Sequence, residues 1–351
     1  MNYNFFKNKK ILVTGHTGFK GSWLVAWLNI LGSKVMGISL NSNNENHFKI
    51  LKKDLSVIDI RGDIRNINFL KTHIKKFKPD IVFHLAAQAI VSTSYKYPIK
   101  TLETNTLGTL NLLLALKDIK KKCTVVLITS DKCYKNIEVK RGYKENDELG
   151  GDDFYSASKA SAELIINSFY KSYIKDKKNF LRIATARAGN VVGGGDWSEN
   201  RLIPDCVKCW SRNKKVNIRN PNSTRPWQHV LEALSGYLYL AQKLDSDKKI
   251  NGQSFNFSNN RIKNFTVLKF IKGIKKYWKK ASWKVTKQAS FNESTLLQLN
   301  SIKAQKILNW NNKLKLFETI KLVGEWYRTY YSTKKKKILT KDQILMYMNK
   351  K

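Results

Sequence analysis

Cysteine, proline and glycine are all scarce in this chain of 351 residues. Its 4 Cys, 5 Pro and 18 Gly exclude a small disulfide-stabilised fold, a collagen-like repeat and a Gly/Pro-rich disordered chain. The sequence also lacks an apolar run of the ~20 residues that a bilayer-spanning helix needs. Hydrophobic residues make up 42% of the chain, which is enough for one large core or two smaller ones.

Acidic residues are few: 26 Asp and Glu stand against 65 Lys and Arg, so the formal net charge is +39. Such a charge can indicate binding to nucleic acid or to an anionic membrane. The lysines, however, recur along the whole chain, and the densest runs (120–122, 275–280 and 334–337) lie far apart. No zinc-finger, helix-turn-helix or RNA-binding motif accompanies them. We therefore expect lysines spread over solvated surfaces, with no nucleic-acid or membrane partner and an electrostatic preference for anionic small substrates.

Two local features bear on location and on metals. Residues 1–10 lack a long apolar region and a small-residue cleavage site, so we expect a cytoplasmic protein. Cys206 and Cys209 have the spacing of half a zinc site. Without a second Cys pair or a nearby His they are expected to be ordinary helix residues, and no metal is predicted.

Short β-branched runs alternate with helical patterns through the first half of the chain. Strands are predicted at 11–14, 34–39, 57–60, 80–85, 123–129 and 180–186, with helices at 22–31, 66–77, 101–116 and 155–173. This alternation predicts an α/β fold, a Rossmann-type doubly wound parallel sheet followed by a smaller C-terminal α/β substrate-binding lobe. The expected boundaries are 1–188 for a dinucleotide-binding domain that carries the catalytic residues, 189–333 for the substrate lobe with some chain crossing back, and 334–351 for a Lys-rich tail.

A glycine-rich turn, Gly15-x-x-Gly18-x-x-Gly21, follows the first predicted strand and opens a helix. Glycines permit a tight turn and a close backbone approach, and the helix N-terminus offers N–H groups to a pyrophosphate, so the turn predicts a dinucleotide site. The acid expected after the second strand is missing, because that strand ends in 39–41, Ser-Leu-Asn. No Arg or Lys follows it, so this strand alone does not decide between NAD and NADP.

A Tyr and a Lys four residues apart, Tyr155 and Lys159, would lie on one face of a helix. A nearby ammonium favours the phenolate, so Tyr155 is expected to act as a base near neutral pH. Six other Tyr-x-x-x-Lys pairs occur in this Lys-rich chain. Only Tyr155 also follows a strand that ends in Thr-Ser-Asp-Lys, residues 129–132.

These linked motifs resemble the extended branch of the short-chain dehydrogenase/reductase superfamily. The resemblance implies that Ser130 is catalytic together with Tyr155 and Lys159, and that a nicotinamide cofactor lies along the carboxyl edge of the sheet. The cofactor contacts that it implies are Gly15, Thr17, Gly18, Phe19, Gly21, Asp63, Ile64, Leu85, Ala86, Ala87, Gln88, Thr104, Tyr155 and Lys159.

Longer stretches, 14–24, 129–134, 187–197, 201–205 and 220–230, are similar to one subfamily, the CDP-glucose 4,6-dehydratases. The resemblance implies an NAD that stays bound and is recycled. It also implies a lyase that makes CDP-4-dehydro-6-deoxyglucose, a precursor of O-antigen and other surface sugars. Asp131 would protonate the departing 6-hydroxyl. Lys132 stands where better-known hexose dehydratases have Glu, either as the base for the carbon 5 proton or as a charge clamp.

Further expectations concern the substrate and the assembly. The residues expected to hold the nucleotide-sugar are Asn190, Leu202, Ile203, Arg219 and Arg225. By similarity to superfamily relatives, the helices at 101–116 and 155–173 would pair two copies as a homodimer. Two alternatives stay open: a related dehydratase or epimerase acting on another base or on a heptose, and a non-catalytic NAD-binding regulator on the same fold.

Overall fold

The computed structural model describes residues 1–42, 46–259, 265–286, 296–332 and 338–350, and the lysine run 334–337 lies outside them. The described residues contain one large sheet of seven parallel strands and two small parallel pairs. The strands are β1 (Lys10–Thr14), β2 (Lys34–Ser39), β3 (Val57–Arg61), β4 (Ile81–His84), β5 (Cys123–Ile128), β6 (Leu181–Ala188), β7 (Val191–Val192), β8 (Val216–Ile218), β9 (Gln228–His229), β10 (Ser254–Phe257) and β11 (Trp283–Val285). The large sheet has the order β3-β2-β1-β4-β5-β6-β10, and the small pairs are β7-β9 and β8-β11.

The described helices cover both faces of the large sheet. They are α1 (Phe19–Ile30), α2 (His47–Leu51), α3 (Ile67–Phe77), α4 (Val91–Lys96), α5 (Pro98–Leu102), α6 (Gly108–Leu116), α7 (Phe154–Phe169), α8 (Leu202–Ser211), α9 (Val230–Ser246), α10 (Val267–Lys275), α11 (Ile302–Leu308), α12 (Leu316–Ser332) and α13 (Thr340–Asn349). None of these helices is both long and apolar enough to span a membrane.

The predicted doubly wound sheet is confirmed, with strand ends that shift by a residue or two. Helix α3 begins where predicted, because the side chain of Asn66 accepts a hydrogen bond from the Phe69 N–H, and it ends at Lys78, which has left-handed backbone angles. The predicted helix at 101–116 is interrupted by a π-turn at 103–107. The predicted helix at 155–173 likewise ends in a π-turn at 170–174.

Alternate residues of the central strands enter two separate cores. Ile11 and Val13 of β1 pack into the core beneath α1 and α9, whereas Leu12 faces the core beneath α3 and α6. Trp23 and Trp27 are fully buried on α1, as their helical spacing predicts. The larger core also includes residues from α9 and β10, so chain beyond residue 188 returns to the main sheet.

The segment beyond residue 339 contains a packed helix, α13, although its sequence is rich in lysine. Ile344 and Tyr347 are buried there, and the Tyr347 hydroxyl lies 2.8 Å from a carboxylate oxygen of Glu232 on α9. The other oxygen of Glu232 accepts the backbone N–H groups of Lys313 (2.9 Å) and Leu314 (2.6 Å). Burial raises the pKa of Glu232 to about 7, against the opposing effect of these hydrogen bonds.

The raised pKa of Glu232 predicts a loss of stability on going from acid to neutral pH. The folded protein retains this proton up to about pH 7, whereas the unfolded chain releases it near 4.5. Stability therefore falls as the pH rises between those values, and the shift corresponds to about 3 kcal/mol of unfolding free energy. Urea unfolding at pH 5, 6, 7 and 8 should show this decline in the native chain but not in Glu232→Gln, which keeps a carbonyl acceptor. Equal pH dependence in both proteins would contradict the assignment.

Candidate active site

The turn between β1 and α1 has the geometry of a phosphate-binding loop. Gly15 has a φ of +75°, and a Cβ there would lie 2.7 Å from the amide nitrogen of Ala86. A Cβ at Gly21 would overlap the carbonyl oxygen of Gly15. Helix α1 starts at Phe19, and no side chain caps its N-terminus. A tight glycine turn before an uncapped helix start suits a pyrophosphate.

A buried hydrogen-bond chain fixes the end of β4 beside this loop. The Thr14 hydroxyl lies 2.7 Å from Nδ1 of His84, and the Thr109 hydroxyl lies 3.1 Å from Nε2. Thr109 donates its own proton to the carbonyl of Asn105 (2.7 Å), so Nε2 of His84 must be the donor to Thr109. Burial lowers the pKa of His84 to about 3, and the ring is therefore neutral near pH 7.

Asn105 is a positioning residue that the sequence analysis missed. Its side-chain oxygen accepts the Gln88 N–H (2.8 Å), and its amide nitrogen donates to the Gln88 carbonyl (3.0 Å) and to the Ser158 hydroxyl (2.9 Å). It thereby ties the loop after β4 to α7, one residue before Lys159. The π-turn that holds Asn105 also contains Thr104, one of the expected cofactor residues. The sequence contained no distinct signal for it, because Asn105 stands among the polar residues Glu103, Thr104 and Thr106.

The five expected catalytic residues come together at the carboxyl end of β5 and the start of α7. Ser130 donates from its hydroxyl to Asp131 (2.9 Å), accepts the Lys132 N–H (3.2 Å), and hydrogen-bonds the Tyr155 side chain. Lys159 is buried one turn after Tyr155. The ammonium of Lys132 has no hydrogen bond or ion pair with any residue that the structure describes. It is thus available to a ligand.

The pKa of Tyr155 moves opposite to the expected direction. Burial raises it to about 12, and the charge of Asp131 adds to the rise, while the hydrogen bond with Ser130 and the charge of Arg201 oppose it. Desolvation of the phenolate thus outweighs the neighbouring cations. Burial also lowers the pKa of Lys159 to about 8, with the carboxylate of Glu163 acting against it.

Lys20 is a second residue that the sequence analysis did not assign to the catalytic centre. It follows Phe19 in the glycine-rich turn, and its ammonium lies 3.4 Å from the hydroxyl of the buried Tyr237. Burial, together with the charges of Lys159 and Arg201, lowers the pKa of Lys20 to about 7. The glycine pattern alone contained no signal that Lys20 would lie near the catalytic side chains.

Arg201 also lies near these side chains and was not predicted there. Its guanidinium pairs with Asp196 (3.1 Å) and donates to the carbonyl of Ala89 (3.4 Å), so it joins the loop before α8 to the loop after β4. Its charge acts on Tyr155 and on Lys20. Arg201 therefore lies beside the catalytic side chains and can interact with an anionic substrate.

A buried ion pair holds α7 and the candidate catalytic loop, residues 129–134, in place. Arg187 binds Glu163 through two parallel hydrogen bonds of 2.9 and 2.8 Å, and both side chains are about 3% exposed. Glu163 also accepts from the Thr129 hydroxyl (2.5 Å), next to Ser130. Arg187 donates to the Tyr134 hydroxyl (2.7 Å), at the other end of the loop. Both ends of the loop are therefore anchored to one pair of charges.

The expected substrate residues occupy the loops and α8 beyond β6. Asn190 has a φ of +27° and its carbonyl accepts from Gln228. Leu202 is half-buried at the start of α8. Ile203 is buried in the large core, so the Ile203 side chain contributes to packing. The charge of Arg219 acts on Asp205 of α8, and Arg225 donates to the carbonyl of Thr224 at 3.0 Å. Arg219 thus lies near α8, Arg225 lies in the loop before β9, and Asn190 follows β6 directly.

The residues present fit a dinucleotide. The glycine turn and the uncapped start of α1 suit its pyrophosphate. Lys159 is a buried ammonium with no hydrogen-bond partner among the described residues, so it needs a polar ligand such as a ribose hydroxyl. Asp63 and Ile64 follow β3 directly; Ile64 is buried, and Asp63 accepts a hydrogen bond from Arg65.

Comparisons with known proteins agree with this geometry. The family model described as GDP-mannose 4,6 dehydratase matches residues 12–323. The CDP-glucose 4,6-dehydratase of Salmonella typhimurium is 40% identical over 352 aligned positions, which cover 99% of this chain and 98% of that enzyme.

Two solved structures share the fold. The UDP-glucose-4-epimerase of Stenotrophomonas maltophila, solved with NAD and formylated UDP-arabinopyranose, gives a TM-score of 0.80 at 19% identity, covering 92% of this chain and 98% of that one. The dTDP-glucose 4,6-dehydratase of Bacillus anthracis, solved with NAD, gives 0.75 at 22% identity, covering 91% and 96%.

The buried pair predicts a large cost when only one partner is removed. Arg187→Met would leave the Glu163 carboxylate buried without its cation, and we expect the unfolding free energy to fall by about 3–5 kcal/mol. The double variant Arg187→Met/Glu163→Gln should recover a substantial part of that loss. Urea unfolding of both variants at one pH tests this, and a loss below about 1 kcal/mol in Arg187→Met would contradict it.

Proposed function

We propose dehydration of CDP-glucose as the reaction of this chain, which belongs to the GDP-mannose 4,6 dehydratase family of nucleotide-sugar enzymes. The products are CDP-4-dehydro-6-deoxyglucose and water, and the enzyme is a hydro-lyase that uses NAD. The observation that carries the proposal is the catalytic loop: an acid and an amine, Asp131 and Lys132, directly follow Ser130 at its contact with Tyr155. An epimerase needs no such acid, because it expels no water.

Oxidation at carbon 4 begins with removal of a proton. Tyr155 takes the proton of the sugar's 4-hydroxyl as its phenolate, which a bound, positively charged nicotinamide would stabilise relative to the ligand-free site, where burial raises the tyrosine pKa to about 12. Ser130 hydrogen-bonds the same oxygen as the ketone forms. Bound NAD supplies the hydride acceptor for carbon 4, the hydride donor for carbon 6 and, while oxidised, a positive charge. Lys159 holds the cofactor ribose and offsets the negative charge of the phenolate. Burial of both side chains keeps water from the reaction.

Elimination follows because the new ketone acidifies the carbon 5 proton. Asp131 protonates the 6-hydroxyl, which leaves as water, and an amine takes the carbon 5 proton. Lys132 is the first candidate for this base, because its ammonium has no partner in the described structure. Lys20 is a second candidate, because burial lowers its pKa to about 7 and a neutral amine is then well populated near that pH. Addition of hydride at carbon 6 and of a proton at carbon 5 completes the product.

The substrate site is proposed to lie mainly in residues 189–333, with the cofactor held by residues 1–188. Asn190, Arg219 and Arg225 would bind the nucleotide diphosphate, because guanidinium groups match phosphate oxygens. Arg201 joins this set through its place beside Tyr155. The product would supply the synthesis of deoxy sugars for O-antigen or other surface polysaccharides in the cytoplasm.

Product analysis tests the assignment directly. The protein is incubated separately with CDP-, dTDP-, GDP- and UDP-glucose, with and without NAD. The masses of the products are measured by mass spectrometry. We expect loss of one water from the CDP sugar and no build-up of reduced cofactor. Turnover of another sugar nucleotide in preference to CDP-glucose would contradict the base assignment, and loss of no water would contradict the dehydratase.

Replacing the acid should separate oxidation from dehydration. In Asp131→Asn we expect the dehydration rate to fall by about 100-fold or more, since a general acid contributes that much. Oxidation at carbon 4 should continue, so the near-ultraviolet absorbance of reduced nicotinamide should accumulate, unlike in the native enzyme. The exposed Asp118→Asn is the matched control and should behave as native. Unchanged dehydration in Asp131→Asn would assign the acid elsewhere.

A homodimer through α4–α7 is also proposed. Apolar side chains lie exposed on this face, with Ile99 73%, Leu107 51% and Leu164 56% accessible. In a two-fold symmetric dimer, this apolar patch on one copy would pack against the same patch on the other copy. Light scattering should give twice the chain mass for the native protein and a monomer for Ile99→Lys/Leu164→Lys. Ile58→Lys, at an exposed apolar position on β3, is the control and should remain dimeric; a monomeric native protein would contradict the proposal.

A further inference from the structure

The ribose end of the proposed cofactor site lacks the acid that usually binds there. In Rossmann-type sites, a carboxylate after the second strand accepts hydrogen bonds from the adenosine ribose and repels a 2′-phosphate. Here β2 ends at Ser39, whose hydroxyl already accepts the Thr17 N–H at 3.3 Å. Leu40 and Asn41 follow. Among the described residues that end and follow β2, 39–42, no side chain carries a carboxylate that would exclude a phosphate.

An arginine from the neighbouring strand reaches the same place. Arg61, the last residue of β3, lies in register with Ser39, and its Nη1 donates to the carbonyl of Leu40 at 3.2 Å. The guanidinium lies 5.6 Å from the ring centroid of Phe48. These contacts hold a guanidinium at the end of β2, although the sequence there contains no basic residue.

The carboxylate beside Arg61, that of Asp59, already accepts hydrogen bonds from three neighbouring side chains. Asp59 accepts from Nε and Nη2 of Arg61, both at 2.9 Å, from Lys52 at 2.9 Å and from His16 at 2.9 Å. Partial burial opposes ionisation of Asp59, but the hydrogen bonds from Lys52, Arg61 and His16 hold its pKa below the usual value. With His16 neutral, Lys52 and Arg61 leave this cluster one net positive charge.

Arg61 retains donors for a ligand. A guanidinium has five N–H groups, and Arg61 uses three of them, two to Asp59 and one to Leu40. The remaining two belong to Nη1 and Nη2, and the Arg61 side chain is 27% exposed. Lys52 is 57% exposed beside it. One N–H on each of Nη1 and Nη2 can therefore donate to oxygens of a phosphate.

We propose that the ribose end of this site accepts a 2′-phosphate through Arg61, so that the chain binds NADP as well as NAD. This inference rests on the proposed cofactor site, and it concerns the identity of the dinucleotide rather than the reaction. Lys52 adds a second positive charge to the phosphate. The absence of a carboxylate at Ser39 leaves room for it.

Binding in the absence of sugar nucleotide tests the inference separately from the reaction. Calorimetry with NAD, NADP, 5′-ADP and 2′,5′-ADP gives the affinity of the whole dinucleotides and of their adenosine halves. We expect the Kd of NADP to lie within about tenfold of that of NAD, and 2′,5′-ADP to bind more tightly than 5′-ADP. Binding of NAD with NADP more than about 100-fold weaker would overturn the inference and leave the dehydratase proposal standing. Failure of both dinucleotides to bind would overturn the cofactor site itself.

Variants identify the residue responsible. Arg61→Gln should weaken NADP by about ten- to 100-fold and change NAD by less than about threefold, because charge-assisted hydrogen bonds are lost only from the phosphate. Ser39→Asp should also weaken NADP selectively, by placing a carboxylate against the phosphate. The exposed Arg212→Gln is the matched control and should change neither.

Arg61→Lys guards against a purely structural effect. It retains the charge without the planar fork, so its NADP affinity should lie between those of the native protein and Arg61→Gln. Thermal unfolding of each variant shows whether the loss of the bonds to Asp59 disturbs the fold. Equal weakening of NAD and NADP in Arg61→Gln, with or without a lower Tm, would overturn the inference.

Discussion

The buried pair between Arg187 and Glu163 is the interaction on which the catalytic geometry depends. It joins β6 to α7 in the interior, and Thr129 and Tyr134 bind to it from the two ends of the catalytic loop. A buried ion pair tolerates little change in geometry, because moving the two groups apart would leave two uncompensated charges out of water. The position of Ser130 relative to Tyr155 is therefore set by electrostatics beneath the site rather than by the loop itself.

Burial is also what adjusts the chemistry of the site. Within one region it lowers the pKa of Lys20 and Lys159 and raises that of Tyr155. Each shift results from the cost of holding a charge out of water. A resting site with a neutral phenol and partly neutral amines contains both proton donors and proton acceptors near neutral pH, and a reaction that moves protons and returns to its starting state needs both. The large net charge of the chain is a separate, surface property.

The C-terminal helix joins this arrangement from the opposite side. His47 lies between the hydroxyls of Ser22 on α1, at 2.7 Å, and Thr340 on α13, at 2.8 Å, and Trp326 donates to the same threonine. The glycines at 193–195 pack closely on the side chains around this contact. Helix α1, the loop that leads to Arg201 and helix α13 are thus one packed unit, so the N-terminal half of the chain depends structurally on the C-terminal half.

The sequence by itself determined the doubly wound sheet and pointed to the candidate catalytic set, because both depend on local signals. Hydrophobic period, a glycine turn and a Tyr-x-x-x-Lys pair each lie within a few neighbouring residues. What only the tertiary structure decided is how distant residues share one place. Lys20, Asn105 and Arg201 come to the candidate active site from three separate segments. Arg61, on β3, places a cation at the end of β2, where the sequence has no basic residue. The direction of the Tyr155 pKa was mispredicted for the same reason, since desolvation depends on the whole fold and cannot be read from the four-residue spacing.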